Sequence, residues 1–440
     1  MLQDQAGLDV STSSELAVRA YDRALVDMLE NRLSMGDRIK DALEADPAFV
    51  MGLVMRTSMF MQLSSRVVTA KVAETLRELE QYAPGATGRE QLHIEALRSW
   101  AAGRLGAARA TWAGIVAAHP TDILALRLHH FMSFWQGERA GLRDLPVATL
   151  ERVDADLPGY GFIVSMAAFG NEECGDYAKA EELGRRAVAI NADDLWGVHA
   201  VAHVLEMQGR HIEGQAWLAQ PFGVWQDRNP FAHHVWWHTA LYALELGQID
   251  WVLEIYDREV EADERGFYLD VQNAASMLMR LRLMGVDVGQ RWEKVAALAV
   301  KRTGDHVMPF TYAHFMMALA GAGKSADARA YLDSQRAFAD GETGDAAEVT
   351  RRVGLALSEA LLAYGDGHHG TVVDKLFPVR GVLTLLGGSH AQQDIFRQIL
   401  VDAAIRAGRM QEARIALTER AALRPDTAFS KAKLALLGAA

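Results

Sequence analysis

The feature that most constrains this chain is a glycine that returns at near-regular intervals. Gly103, Gly137, Gly175, Gly209, Gly247, Gly285, Gly323, Gly367 and Gly408 each follow an apolar segment of helical period, at successive spacings of 34, 38, 34, 38, 38, 38, 44 and 41 residues. Leu244-Glu-Leu-Gly247-Gln-Ile-Asp and Ile405-Arg-Ala-Gly408-Arg-Met-Gln-Glu-Ala413 show the local form. Glycine suits the left-handed residue that ends one helix and lets the chain reverse into the next. Five residues further on stand Ala108, Leu142, Ala180, Gly214, Val252, Gln290, Ala328, Val372 and Ala413. Most are small, as a second helix crossing close over the first requires. The steps Asp46-Pro47, His119-Pro120 and Arg424-Pro425 are placed to end second helices, because a residue before proline disfavours the α region.

A helix hairpin every 34–44 residues is the tetratricopeptide-like pattern. It predicts an all-α fold: an α-solenoid of about ten to twelve helical hairpins forming a right-handed superhelix, first helices on the inner face and second helices on the outer. The reading is one domain over 1–440, with irregular hairpins over 1–85 and regular repeats over 86–440. Gly36 reads as the end of a first helix, and Thr12-Ser-Ser-Glu15 as a capping box for the opening one. The longest interruption, Ala219 to Pro230, reads as a loop able to fold back over the inner face.

Composition removes several function classes. Against 57 Asp+Glu stand 45 Lys+Arg, a net charge of −12, and an acidic surface repels phosphate backbones, so a general nucleic-acid binder is excluded. No window approaches 18 uninterrupted apolar residues, so no membrane span is expected. The opening Met1 to Gly7 lacks a basic region followed by an apolar one, so a soluble, cytoplasmic protein is expected. The single cysteine, Cys174, leaves no internal disulfide and no Cys-rich zinc site. Its acidic neighbours make it a poor nucleophile. Neither a phosphate-binding glycine loop nor a GxSxG elbow is present.

The histidines carry the chemical signal. Of the 15, His93, His129, His130, His199, His203, His233, His234, His238 and His314 fall on first helices, and the rest at helix ends or turns. Counted back from the hairpin glycine, His93, His199, His203, His234, His238 and His314 share an arc of about 100°, the stripe that looks inward. His129 and His130 fall outside it and read as packing residues. Two pairs stand out: His199-Ala-Val-Ala-His203 and His234-Val-Trp-Trp-His238. Each sets two imidazoles on one helix face, the spacing of helix-borne zinc and iron sites, and Glu206 continues the first face. Neighbouring helix axes lie ~8–10 Å apart, so the four rings can converge. His314 and the Gly304-Asp305-His306 step border the same space. Six of ten Trp lie between 196 and 251; Trp196, Trp225 and Trp237 are the expected pocket walls.

Several stretches resemble the tetratricopeptide repeat protein 38 family. They are His199-Ala-Val-Ala-His-Val-Leu-Glu-Met207, Trp237-His-Thr-Ala-Leu-Tyr242, Leu269-Asp-Val271, Val288-Gly-Gln-Arg-Trp292, Asp305-His306 with Ala313-His-Phe315, and Gly388-Ser-His-Ala-Gln-Gln-Asp394. They span about the C-terminal two-thirds, in the family's order. The resemblance implies a tetratricopeptide-like solenoid and supplies no settled activity. The family's pattern includes the positions of His199, His203, Glu206, His234, His238, Asp270, Asp305, His306 and His314. Leu205 stands where animal members are expected to have histidine.

Two functions follow as expectations. In the first, a His/Asp/Glu-lined, Trp-walled inner pocket binds a small polar ligand and acts as a hydrolase or lyase. His199, His203, His234 and His238 then serve as proton carriers or as ligands of a divalent metal such as Zn, with Glu206 or Asp270 as base. In the alternative, the concave groove is a scaffold for a peptide or protein partner. A homo-oligomer is compatible with either.

Overall fold

The computed structural model describes residues 1–438, and apart from one short hairpin, Leu2–Gln3 with Asp9–Val10, its regular structure is helical. The contacts of the chain gather into two compact units. The first comprises Met1–Val201 and Phe222–Asn229. It holds the helix pairs α1 (Glu15–Leu29) and α2 (Met35–Ala45), α3 (Val50–Gln62) and α4 (Thr69–Tyr82), α5 (Gly88–Ala101) and α6 (Leu105–Ala118), α7 (Ile123–Trp135) and α8 (Arg139–Leu150), and α9 (Tyr160–Glu173) and α10 (Tyr177–Ile190). The division then falls inside one unbroken helix, α11 (Leu195–Met207).

The second unit comprises Ala202–Pro221 and Pro230–Ala440. After the end of α11 come α12 (His211–Trp217), α13 (Phe231–Glu245) and α14 (Ile249–Ile255), then α15 (Tyr268–Leu283) and α16 (Arg291–Val300). Next are α17 (Pro309–Gly321) and α18 (Ser325–Gly341), then α19 (Asp345–Val349), which runs through one π turn into α20 (Leu355–Gly365), and α21 (His369–Leu376). The last are α22 (His390–Arg406), α23 (Met410–Leu423) and α24 (Ala428–Gly438). Within the described residues this is eleven hairpins and a closing helix, inside the expected ten to twelve.

The repeat mark does what its chemistry predicts. All nine hairpin glycines have φ between 68° and 85°. After each one, the next backbone N–H returns to the carbonyl five residues earlier, at 2.8 to 3.0 Å, as in Arg104 to Ser99 and Arg409 to Ala404. This closes the helix end and turns the chain. At the crossing points Ala108, Ala180, Val252, Ala328, Val372 and Ala413 have no exposed surface. A Cβ on Gly214 would lie 2.3 Å from the Tyr242 ring. Gln290 departs from the pattern: a second left-handed glycine, Gly289 at φ 57°, lengthens that turn and leaves Gln290 exposed before α16.

Three local expectations are corrected. Gly36 does not end a first helix; it sits in the first turn of α2, and Asn31 at φ 59° makes the left-handed turn after α1. The capping box at Thr12–Glu15 is absent, because the helix starts two residues later than the box needs. Ser14 is the cap, accepting from Ala17 N, while Thr12 donates to Asp46 at 2.5 Å. Both partners of the box are present instead at Thr87 with Glu90 and at Ser389 with Gln392. The 219–230 loop is tied to the turn after α1. Leu33 N donates to Asp227 O at 2.9 Å, Asn229 N to Asn31 O at 2.7 Å, and Arg228 Nη1 to Glu30 O at 2.8 Å.

Within each unit the first helices are the core and the second helices shield them. Every residue of α9 and of α17 is buried, whereas α10 buries only Ala180, Leu183, Gly184 and Ala187. In the second unit α22 lies against α15, with Arg280 Nη2 donating to Ala391 O at 2.8 Å. The inner sides of these first helices are filled by protein.

Candidate functional site

Successive first helices α11 and α13 each place two histidines one turn apart on one face. His203 and His238 have no exposed surface, and His199 and His234 are 2% and 3% exposed. Ring centroids are 4.5 Å apart for His203 and His238 and 4.9 Å for His234 and His238. His199 is fixed one turn before His203 by their common helix, and the four imidazoles offer nitrogens that all lie within 4.8 Å of one another.

The surroundings hold the rings in place. Trp237 stacks on His234 at 5.2 Å and 14° and donates its indole N–H to Ser276 Oγ at 3.1 Å, while Arg280 sits 5.2 Å over the Trp237 ring. His234 Nδ1 donates to Asn273 Oδ1 at 2.8 Å, since an amide oxygen only accepts. Trp196 and Phe169 pack against His199 at 5.0 and 5.3 Å. Burial pushes His203 and His234 down to about 3 and His238 well below its ordinary value; the neighbouring histidines add to this for His238. All three are neutral at pH 7, which is the protonation state a metal ligand needs.

Of the carboxylates expected to assist these rings, Glu206 is buried, acts on His203 through space and is ion-paired to Arg424. Arg424 also donates to Asp394 at 2.8 Å, and Asp394 takes two further bonds from Arg420, both at 2.8 Å. Burial alone would raise the Asp394 carboxyl, but Arg420 and then Arg424 outweigh it and hold the group well below the usual carboxylate range. Burial brings Arg280, whose hydrogen bonds go to the Ser276 and Ala391 carbonyls, down to about 10. A cavity of about 10 Å³, room for one water, lies beside Arg280 and Arg424.

Four expected site residues, Asp270, Asp305, His306 and His314, do not join the cluster. Asp270 is buried at the start of α15, raised to about 7 by burial and then by Asp263, with Arg265 opposing. The Asp305-His306 step packs on α18: Tyr331 donates to Asp305 O at 2.8 Å, and His306 stacks on Tyr331 and lies 5.0 Å from Phe338. His314 donates Nδ1 to its own helix at Phe310 O, 2.8 Å away, and lies between Phe310 and Phe396. Trp225 belongs to the loop bound to the α1–α2 turn, and Trp196 and Trp237 wall the cluster. Burial, then Asp144 and Glu173, push the Cys174 thiol up against the opposition of Arg143, as expected of an inert thiol. Sequence reasoning missed Asn273, Ser276, Arg280, Asp394, Arg420 and Arg424. Only Asp394 carried a signal, as the last residue of the quoted stretch that begins at Gly388.

No family model matches the chain. Among solved structures, a chain in the structure of Naa15/Naa10 bound to HypK-THB is similar over 96% of this chain at 13% identity, with a TM-score of 0.27. This chain spans 65% of that one's length.

The donor set fits a transition metal. Around a tetrahedral ion with metal–nitrogen bonds of ~2.0–2.1 Å the ligand nitrogens stand about 3.3 Å apart. The four candidate ligand nitrogens lie within 4.8 Å of one another. A four-imidazole donor set suits Zn, Cu, Ni or Fe; Ca and Mg require oxygen ligands.

Proposed function

We propose that this chain is a helical-repeat binding protein organised around a buried imidazole centre for a divalent metal such as Zn, and that it is not a hydrolase or lyase. The burial of the centre carries the reading: none of the four histidines is more than 3% exposed. A catalytic ion needs an open position for water and substrate, and a structural one does not. Glu206, the carboxylate nearest in sequence, is held by Arg424 and not poised as a base. What remains for function is the solvent-facing surface of the hairpins, and repeat proteins bind protein or peptide partners on such extended surfaces, above all concave ones. No helix among the described residues is long and apolar enough to cross a membrane, and we place the protein in the cytoplasm and in the tetratricopeptide repeat protein 38 family.

The test is turnover. The zinc-loaded chain, assayed with ester, amide, phosphomonoester and hydroxy-acid substrates, is expected to match a His203→Ala/His238→Ala variant. Turnover present in the parent and lost in the variant overturns the proposal. Partner crosslinks are expected at lysines of second helices, such as Lys179 and Lys375.

A further inference from the structure

Helix α15 carries no ligand of the imidazole centre, yet three of its residues reach the centre's support. Asn273, Ser276 and Arg280 lie at intervals of three and four, on one face. Asn273 accepts from His234, Ser276 accepts from Trp237, and Arg280 covers the Trp237 ring. Trp237 in turn lies flat on His234. The face therefore fixes both the rotation of the His234 ring and the nitrogen that carries its proton.

This fixes the ligand atom. An imidazole that donates through Nδ1 keeps its lone pair on Nε2. An outer hydrogen-bond acceptor of this kind selects the tautomer and orients the ring for a metal. Asn273 is 1% exposed and Ser276 2%, so water does not compete for these bonds. With four protein nitrogens already gathered, a tetrahedral ion has no position left for solvent. Every ligand comes from α11 or α13, so the ion ties one hairpin to the next.

We infer that Asn273 is a positioning residue for a closed, four-imidazole site of the zinc class, holding His234 so that Nε2 faces the ion. The inference deepens the metal reading above and rests on it. A neutral amide acceptor, where many such sites use a carboxylate, adds no charge to a centre that the ion alone makes positive.

The experiment uses the full chain, stripped by dialysis against a chelator and titrated with Co²⁺, whose visible absorption distinguishes tetrahedral from octahedral coordination. The parent is expected to give the intense tetrahedral band at one ion per chain. Asn273→Leu, which keeps the volume and removes the acceptor, is expected to weaken Co²⁺ binding about 10–100-fold while the melting temperature of the stripped chain stays close to the parent's. Asn273→Asp restores the acceptor and is expected to restore affinity. If Leu is not accommodated at 273, Asn273→Ala takes its place in the same comparison. Parent-like binding by the acceptor-less variant overturns the role of Asn273. A weak octahedral band overturns the closed site. A folded parent that gives no band overturns the underlying metal reading itself, so the three failures are distinct.

Discussion

Both units bury histidine on first helices, and the two sets live in opposite surroundings. In the first unit His93 lies 3.0 Å from Asp122, which also takes Arg89 at 2.6 Å and caps α7 through Ala125 N at 2.8 Å. Burial opposes the charged carboxylate there, but His93 and then Arg89 outweigh it and hold Asp122 well below its usual range. In the second unit His203, His234 and His238 meet one another, Trp237 and Asn273. Helix register brings each set inside; the partner decides the role. His93 shares its carboxylate with Arg89, whereas the His203, His234 and His238 rings pack against one another.

The largest effect should come from breaking the charge networks, one in each unit. Asp394→Ala strands Arg420 and Arg424 in the interior, and Asp122→Ala strands Arg89. Losing one partner of a buried pair costs about 3–5 kcal/mol. Denaturant unfolding should show that loss in both variants. Hydrogen exchange should place the added opening of Asp394→Ala in α20–α24 and α11, and that of Asp122→Ala in α5–α7. A loss spread evenly over both units would erase the distinction drawn between them.

Helix crossings provide a second comparison. A Cβ on Gly170 of the first unit would meet the Leu142 carbonyl at 2.3 Å, and one on Gly214 of the second would meet the Tyr242 ring at the same distance. Overpacking costs about 1–3 kcal/mol, and Gly170→Ala should fall at the upper end because backbone yields less than a ring. Equal melting temperatures for the two variants would contradict that ranking.

The smallest effect concerns pH, where Asp122 of the first unit and Asp270 of the second differ in sign. Asp122, held low, stabilises its unit above the unfolded carboxylate value near 4, and this is lost as pH falls through its folded value. Asp270, raised to about 7, keeps its proton in the folded chain while the unfolded chain releases it, so stability declines as pH rises from about 4 to 7. Asn at 270 removes that decline. Asp270→Asn should therefore gain a few degrees in melting temperature at pH 8 over its gain at pH 4.5, and equal gains would refute the burial argument.

Much of the fold was legible because its determinants are local. A left-handed residue after an apolar helix is visible in nine glycines, and an i, i+4 pair fixes a helix face without tertiary knowledge. The failures at Gly36 and Thr12 came from one-residue questions, such as whether Asn31 or a glycine supplies the positive φ. The site was half legible. Register found His199, His203, His234 and His238, but it also sent His314 inward, and the Asp305-His306 step was set beside it; aromatic packing on α18 and α22 claims the two histidines. Arg424 pairs with Glu206 across 218 residues, and no spacing rule reaches that far. Asn273 was missed for the same reason: its partner is 39 residues away, one repeat earlier, and a lone asparagine in an apolar helix carries no pattern.

Metal content decides whether the α11 and α13 histidines are a ligand set. Elemental mass spectrometry of the purified chain, beside His203→Ala/His238→Ala and His93→Ala variants, should find close to one transition-metal ion per chain in the parent and in His93→Ala, and none in the double variant. A metal-free parent that stays so after incubation with zinc, or an ion retained by the double variant, would contradict the account.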